Sequence, residues 1–159
     1  MTGRKSDLSK IVVEDVLSSG FYLRIKVHGP SMHPFIRNGD TLIIRPSVAA
    51  DLNIGDIVLY LDPSGIHVVH RLIKRNGPAS LITKGDYLDY YDPPVSTEQV
   101  LGKVVAVERN GRCRKLDGTL SQALSMIFAK LSPMSRWLRP SLRPIWRSCQ
   151  IVFKNRLKG

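Results

Sequence analysis

Residues 21–34 change character midway, and that change limits what the chain can fold into. Apolar Phe21, Leu23, Ile25 and Val27 alternate with Tyr22, Arg24, Lys26 and His28, which is the period of a strand with one buried face. Gly29-Pro30-Ser31-Met32-His33-Pro34 follows at once. The prolines remove ladder donors and the glycine interrupts the pleat, so the segment reads as a shaped turn at a strand end. Further strands are expected at 41–45, 57–61, 66–74, 80–84 and 100–108. Asp62-Pro63-Ser64-Gly65 is a hairpin signal, and Gly39-Asp40 and Gly55-Asp56 punctuate other strands. Many short strands with little helix specify a mainly β domain, of Greek-key or barrel-like folding, placed at residues 20–112.

The flanks differ from this domain. Leu8, Ile11, Val12, Val16 and Leu17 fall at helical spacing with Gly20 placed as a stop, predicting a helix over 8–19 within an N-terminal segment 1–19. After residue 112, Thr119 and Gln122 form a capping-box pattern ahead of Leu120, Ala123, Leu124, Ile127, Phe128 and Leu131. Residues 113–159 therefore read as a basic, amphipathic helical tail. Charge draws the same boundary. The chain has 24 Lys and Arg against 13 Asp and Glu, a net +11, and residues 118–159 hold eight of the basic residues and no acidic one. The front domain is thus close to balanced. Trp137 and Trp146 among arginines fit a peripheral membrane surface through residues 120–159, with a partner-protein helix as the competing reading. Nucleic acid is not expected: the charge fits, but no recognised binding motif does.

A composition of 43% hydrophobic and 23% charged residues marks a globular chain of 159 residues, enough for one domain with a sizeable core. Cys113 and Cys149 suit neither a disulfide framework nor a zinc site, so no metal or other cofactor is expected and a reducing compartment is the simpler reading. No stretch reads as a signal peptide or reaches the roughly 18 apolar residues of a membrane span. The expected location is cytoplasmic or peripheral to a membrane.

Chemistry enters at Ser31. A serine hydroxyl needs a base within hydrogen-bond reach and donors aimed at the developing oxyanion. A serine on a tight turn at a strand end meets both needs, although Pro30 has no N–H, so the donors would be the amide of Ser31 itself or one beyond it. Alone, a Ser-Met-x-Pro tetrapeptide is only a loop serine.

Its surroundings add to this. The stretch from Gly29 to Asp40 resembles the nucleophile box of the signal peptidase I and LexA-like superfamily, serine peptidases of the S24/S26 type. Four more blocks match in order: Gly55-Asp56-Ile57-Val58-Leu59-Tyr60, Val68-Val69-His70-Arg71-Leu72-Ile73, Thr83-Lys84-Gly85-Asp86 followed by Asp92-Pro93, and Leu101-Gly102-Lys103-Val104-Val105. The resemblance covers about residues 20–108. It implies a signal peptidase/LexA-type catalytic domain and a serine endopeptidase that needs no cofactor. His70 stands where bacterial signal peptidases and LexA place lysine. Histidine there, in a Val-His-Arg context, is similar to the archaeal and endoplasmic-reticulum branch, and imidazole titrates near neutrality. The resemblance then implies Ser31 as nucleophile, His70 as base and Asp92 as the carboxylate that orients it, with Asp86 as a supporting or alternative acid. Met32 and His33 are substrate-groove candidates. His67 lies on the opposite strand face, His28 is expected in solvent, and a Ser31–Lys84 dyad is a minor alternative.

The chain also departs from that pattern. The residues before Ser31 provide neither a membrane anchor nor room for a DNA-binding domain, and no upstream Ala-Gly or Cys-Gly bond is available for self-cleavage. The position two before Ser31 is Gly29, without a hydroxyl for the oxyanion. A stand-alone peptidase acting on a peptide or protein is therefore the leading expectation. A LexA-like self-processing regulator and a non-catalytic peptide-binding module are the alternatives.

Overall fold

The computed structural model describes residues 3–116, with side chains from residue 11 onward, and Ile127. Helix α1 spans Gly3–Ser18, starting five residues before the point that the spacing predicts. It closes with Gly20 N–H donating to Leu17 O and Phe21 N–H to Val16 O, the paired bonds that satisfy terminal carbonyls. Val13 and Leu17, one turn apart, are buried. The helix and membrane contact expected beyond residue 118 lie outside the described residues, apart from Ile127.

Eight strands follow: β1 (Leu23–Lys26), β2 (Thr41–Pro46), β3 (Ile57–Leu61), β4 (His67–Arg75), β5 (Ser80–Lys84), β6 (Val95–Ser96), β7 (Val100–Arg109) and β8 (Arg112–Lys115). They form one antiparallel sheet in the order β1-β2-β7-β3-β4-β5-β6, with β8 also on β7. The sheet curls into a half-barrel. β7 organises it. β2 runs along one edge of β7, while β3 pairs its first half and β8 its second half on the other.

Two strands were not predicted, and the reasons differ. β6 has two residues, too few to show any period. β8 is exposed at all four positions, so it has no apolar alternation to read. It forms because Asn110 (φ 50°) and Gly111 (φ 75°) make the left-handed two-residue turn that matches strand twist. The sheet therefore continues to Lys115, past the boundary drawn at residue 112.

Both faces of the sheet are buried at its centre. α1, β1 and Met32 and Ile36 of the turn pack on Leu42, Ile44, Ile57, Leu59, Val69 and Val104. On the other face Val58, Tyr60, Val68, Leu72, Leu81 and Val95 pack with Ala49 and Leu52. β3 and β4 contribute to both clusters, so they read as nearly continuous apolar runs. The two Gly-Asp turns are fastened alike. Asp40 accepts the Arg37 amide and pairs with Arg109, while Asp56 accepts the Asn53 amide and pairs with Lys103. β7 supplies both cations.

Candidate active site

The turn bearing Ser31 is closed at its base. Val27 N–H donates to Asp40 O and Gly39 N–H to Val27 O, both at 2.9 Å, and Gly29 N–H donates to Asn38 Oδ1. Inside it, His33 N–H donates to Pro30 O and Ile36 N–H to Met32 O. Met32 is 2% exposed and sits in the first core cluster, so it pins the turn from beneath. His33 is exposed, its ring edge-on to Tyr87. Ser31 is buried, and its carbonyl accepts the Tyr87 amide at 2.8 Å. Among the described residues the amides of Ser31 and Met32 donate no hydrogen bond.

His70 and Arg71 are consecutive on β4, so they point to opposite faces, and both are fully buried. Each takes a different aspartate. His70 Nδ1 lies 2.6 Å from Asp92 Oδ2. Arg71 holds Asp86 by two bonds of 2.7 and 2.6 Å, donates to Gly55 O and covers the Phe35 ring at 5.2 Å. The carboxylate on the histidine is therefore that of Asp92, while Asp86 fastens β4 to the turn after β5. His67, three positions before His70, belongs to the other face. Lys84 is cross-strand from Arg71 and shares Arg71's face, away from His70. His28 is half-buried.

Asp92 has further support. Thr83 Oγ1 donates to Asp92 Oδ2 at 2.7 Å and lies 3.3 Å from Tyr60 Oη. Burial works against the charge of Asp92, but the hydrogen bonds and charge of His70, with the hydroxyls of Thr83 and Tyr60, hold its carboxyl below the usual range. Burial and the adjacent Asp92 push the Tyr60 hydroxyl far up, so it stays protonated as a donor. Thr83, Tyr60 and Arg71 were not singled out from the sequence. A signal existed for two of them: Thr83 and Tyr60 follow Leu81 and Val58 at period two, placing hydroxyls within inward-facing stripes.

Gly85 relates Ser31 to His70. Arg71 pairs with Lys84, so one step further in the antiparallel register Gly85 stands across from His70. A Cβ on Gly85 would meet Ser31 O at 2.7 Å and Leu88 at 2.9 Å. Only a residue without a side chain lets the turn lie this close to the end of β5. Ser31 Oγ and His70 Nε2 are both sealed from solvent, and neither has a hydrogen-bond partner. The Ser31–His70 hydrogen bond expected of a dyad is therefore not formed in this state. Among the described residues no group of three or more His, Cys, Asp or Glu could hold a metal ion.

The family model described as peptidase S24-like matches residues 6–105, nearly two thirds of the chain. The chain belongs to the peptidase S24-like family. The matched segment of this S24-like chain contains the Ser31 turn, His70, Asp86 and Asp92, and ends within β7. Neither curated proteins nor solved structures yield a significant match. No helix among the described residues is long and apolar enough to cross a membrane.

Proposed function

We propose that this protein is a serine endopeptidase in which Ser31 attacks, His70 shuttles the proton and Asp92 orients the imidazole. One observation carries the reading. The His70–Asp92 bond commits Nδ1 and leaves Nε2 without a partner, and His70 stands across from Gly85, against which the Ser31 turn packs. Ser31 Oγ would attack the scissile carbonyl carbon as His70 Nε2 takes its proton. The oxyanion would be met by the free amides of Ser31 and Met32. Collapse breaks the C–N bond, and the proton on Nε2 passes to the departing amine. Water then attacks the Ser31 ester, with His70 taking its proton and returning one to Oγ. Asp92 would stay ionised, the state that its bonds from His70 and Thr83 favour against the opposing effect of burial.

The test is a mixed peptide library incubated with the protein and read by mass spectrometry. Ser31→Ala and His70→Ala should each abolish cleavage, and Asp92→Asn should slow it by roughly 10³–10⁴-fold. Retained cleavage in either of the first two overturns that residue's role. A second reading, a non-catalytic module that holds extended peptides by strand addition, draws on the missing Ser31–His70 bond. Peptide binding without cleavage by the wild-type protein selects it. Loss of mass from the intact chain on long incubation selects self-processing.

A further inference from the structure

Arg112 stands directly across from Arg109 in the β7–β8 hairpin. Like charges opposite one another in an antiparallel pair repel. Asp40 is the acid beside them, and it is already used. It is buried, bonded by two Arg109 nitrogens and by the Arg37 amide. Arg114 lies two residues beyond Arg112 on the same strand face, with its guanidinium 6.0 Å from the Phe35 ring centroid. The other guanidinium on that ring, Arg71, is neutralised by Asp86. Arg109 also donates to Phe35 O, and Arg37 acts on Asp40 through its charge.

Arg37, Arg112 and Arg114 are all exposed and have no carboxylate partner among the described residues. Arg114 lies at Phe35, four residues after Ser31; Arg37 is two residues beyond Phe35 in the turn, and Arg112 faces Arg109, which donates to Phe35 O. β8 buries nothing of its own, so its side chains are displayed rather than packed. We propose that these three arginines dock an acidic stretch of the peptide substrate beside the Ser31 turn. Planar guanidinium forks match carboxylates in pairs, and an unneutralised group of them draws anionic chains. A single-stranded nucleic acid would want a free aromatic platform for its bases, and Phe35 already carries two guanidiniums. The proposal rests on reading the Ser31 turn as the active site, and the experiment separates the two.

Fluorescence anisotropy of full-length Ser31→Ala protein provides the test, using labelled decapeptides of alternating Glu-Ala, Gln-Ala and Lys-Ala. The Glu-Ala peptide should bind best, and added salt should weaken it. Arg112→Glu with Arg114→Glu should weaken it about tenfold, and Arg112→Gln with Arg114→Gln by less. The same charge change in the tail, Arg143→Glu with Arg147→Glu, should leave it unaltered. Equal weakening by both charge-reversed pairs would mean bulk attraction and overturn the proposal. So would an oligonucleotide of matched charge that binds more tightly and loses binding in the same hairpin variant. Cleavage by wild-type protein should in turn favour acidic residues at a fixed distance from the cut bond. If the binding pattern holds while no peptide is cleaved, the docking surface stands and the peptidase reading fails.

Discussion

Thr83 does at one atom what the proposed chemistry needs. Its hydroxyl donates to the Asp92 oxygen that also meets His70, so it fixes the carboxylate and keeps it charged. Thr83→Val keeps the shape and removes the donor. Cleavage should fall about tenfold or more, as expected for losing a hydrogen bond to a charged group, while Thr83→Ser should retain most of it. An equal loss in both variants, measured as kcat/KM, would mean that packing rather than the hydroxyl matters. Gly85 acts by absence. Gly85→Ala puts a methyl group against a backbone carbonyl, 2.7 Å from Ser31 O, where nothing flexible can yield. Overpacking of this kind costs about 1–3 kcal/mol, read as a lower denaturant midpoint. Because the displaced atom belongs to Ser31, cleavage should fall by more than the stability loss explains.

At the scale of elements, the β7–β8 hairpin shows how little apolar pattern a strand needs when its turn is specified. Arg112–Lys115 has no buried position, and its register follows from the Asn110-Gly111 turn, with Leu116 N–H donating to Val105 O at its far end. Gly111 sits at φ 75° with nothing near its Cβ position, so Gly111→Ala strains the backbone without a clash. The expected cost is about 1–2 kcal/mol, with amide exchange in Arg112–Lys115 accelerated more than in β3. Uniform acceleration across the sheet would contradict this. β4 is the opposite case. It is buried on both faces, and its alternation sends His70 to Asp92 and Arg71 to Asp86. A single strand thus holds the candidate base and the fastening arginine apart.

At the scale of the whole fold, three ion pairs with buried carboxylates join separate segments among the described residues: Arg71–Asp86, Lys103–Asp56 and Arg109–Asp40. Burial opposes the charge of Asp40, but Arg109 and the Arg37 amide hold its carboxyl below the usual range, as His70 and Thr83 do for Asp92. Their lowered values mean that ionisation favours the folded chain. That contribution is complete above about pH 4, the ordinary carboxylate value, and is lost as pH falls through the lower folded values. Asp40→Asn should therefore unfold more readily than wild type near neutrality, and the gap should close in acid. A gap that stays constant with pH, followed by circular dichroism, would remove the linkage. By itself the sequence determined the mainly β class, the bounds of β3 and β5, the turn around Ser31 and the strand face of His70, because period two and glycine-proline punctuation are local properties of the chain. No local pattern chooses which aspartate meets His70; in the folded structure Asp92 meets it and Asp86 meets Arg71. Asp86 and Asp92 lie in a loop between β5 and β6, where no period directs a side chain, so register and packing choose their partners. The tertiary structure also brought Gly85 against Ser31 and Thr83 onto Asp92, contacts between residues 9 to 54 positions apart that no local pattern encodes. The Ser31 turn thus has its shape from nearby residues and its chemical neighbours from distant ones.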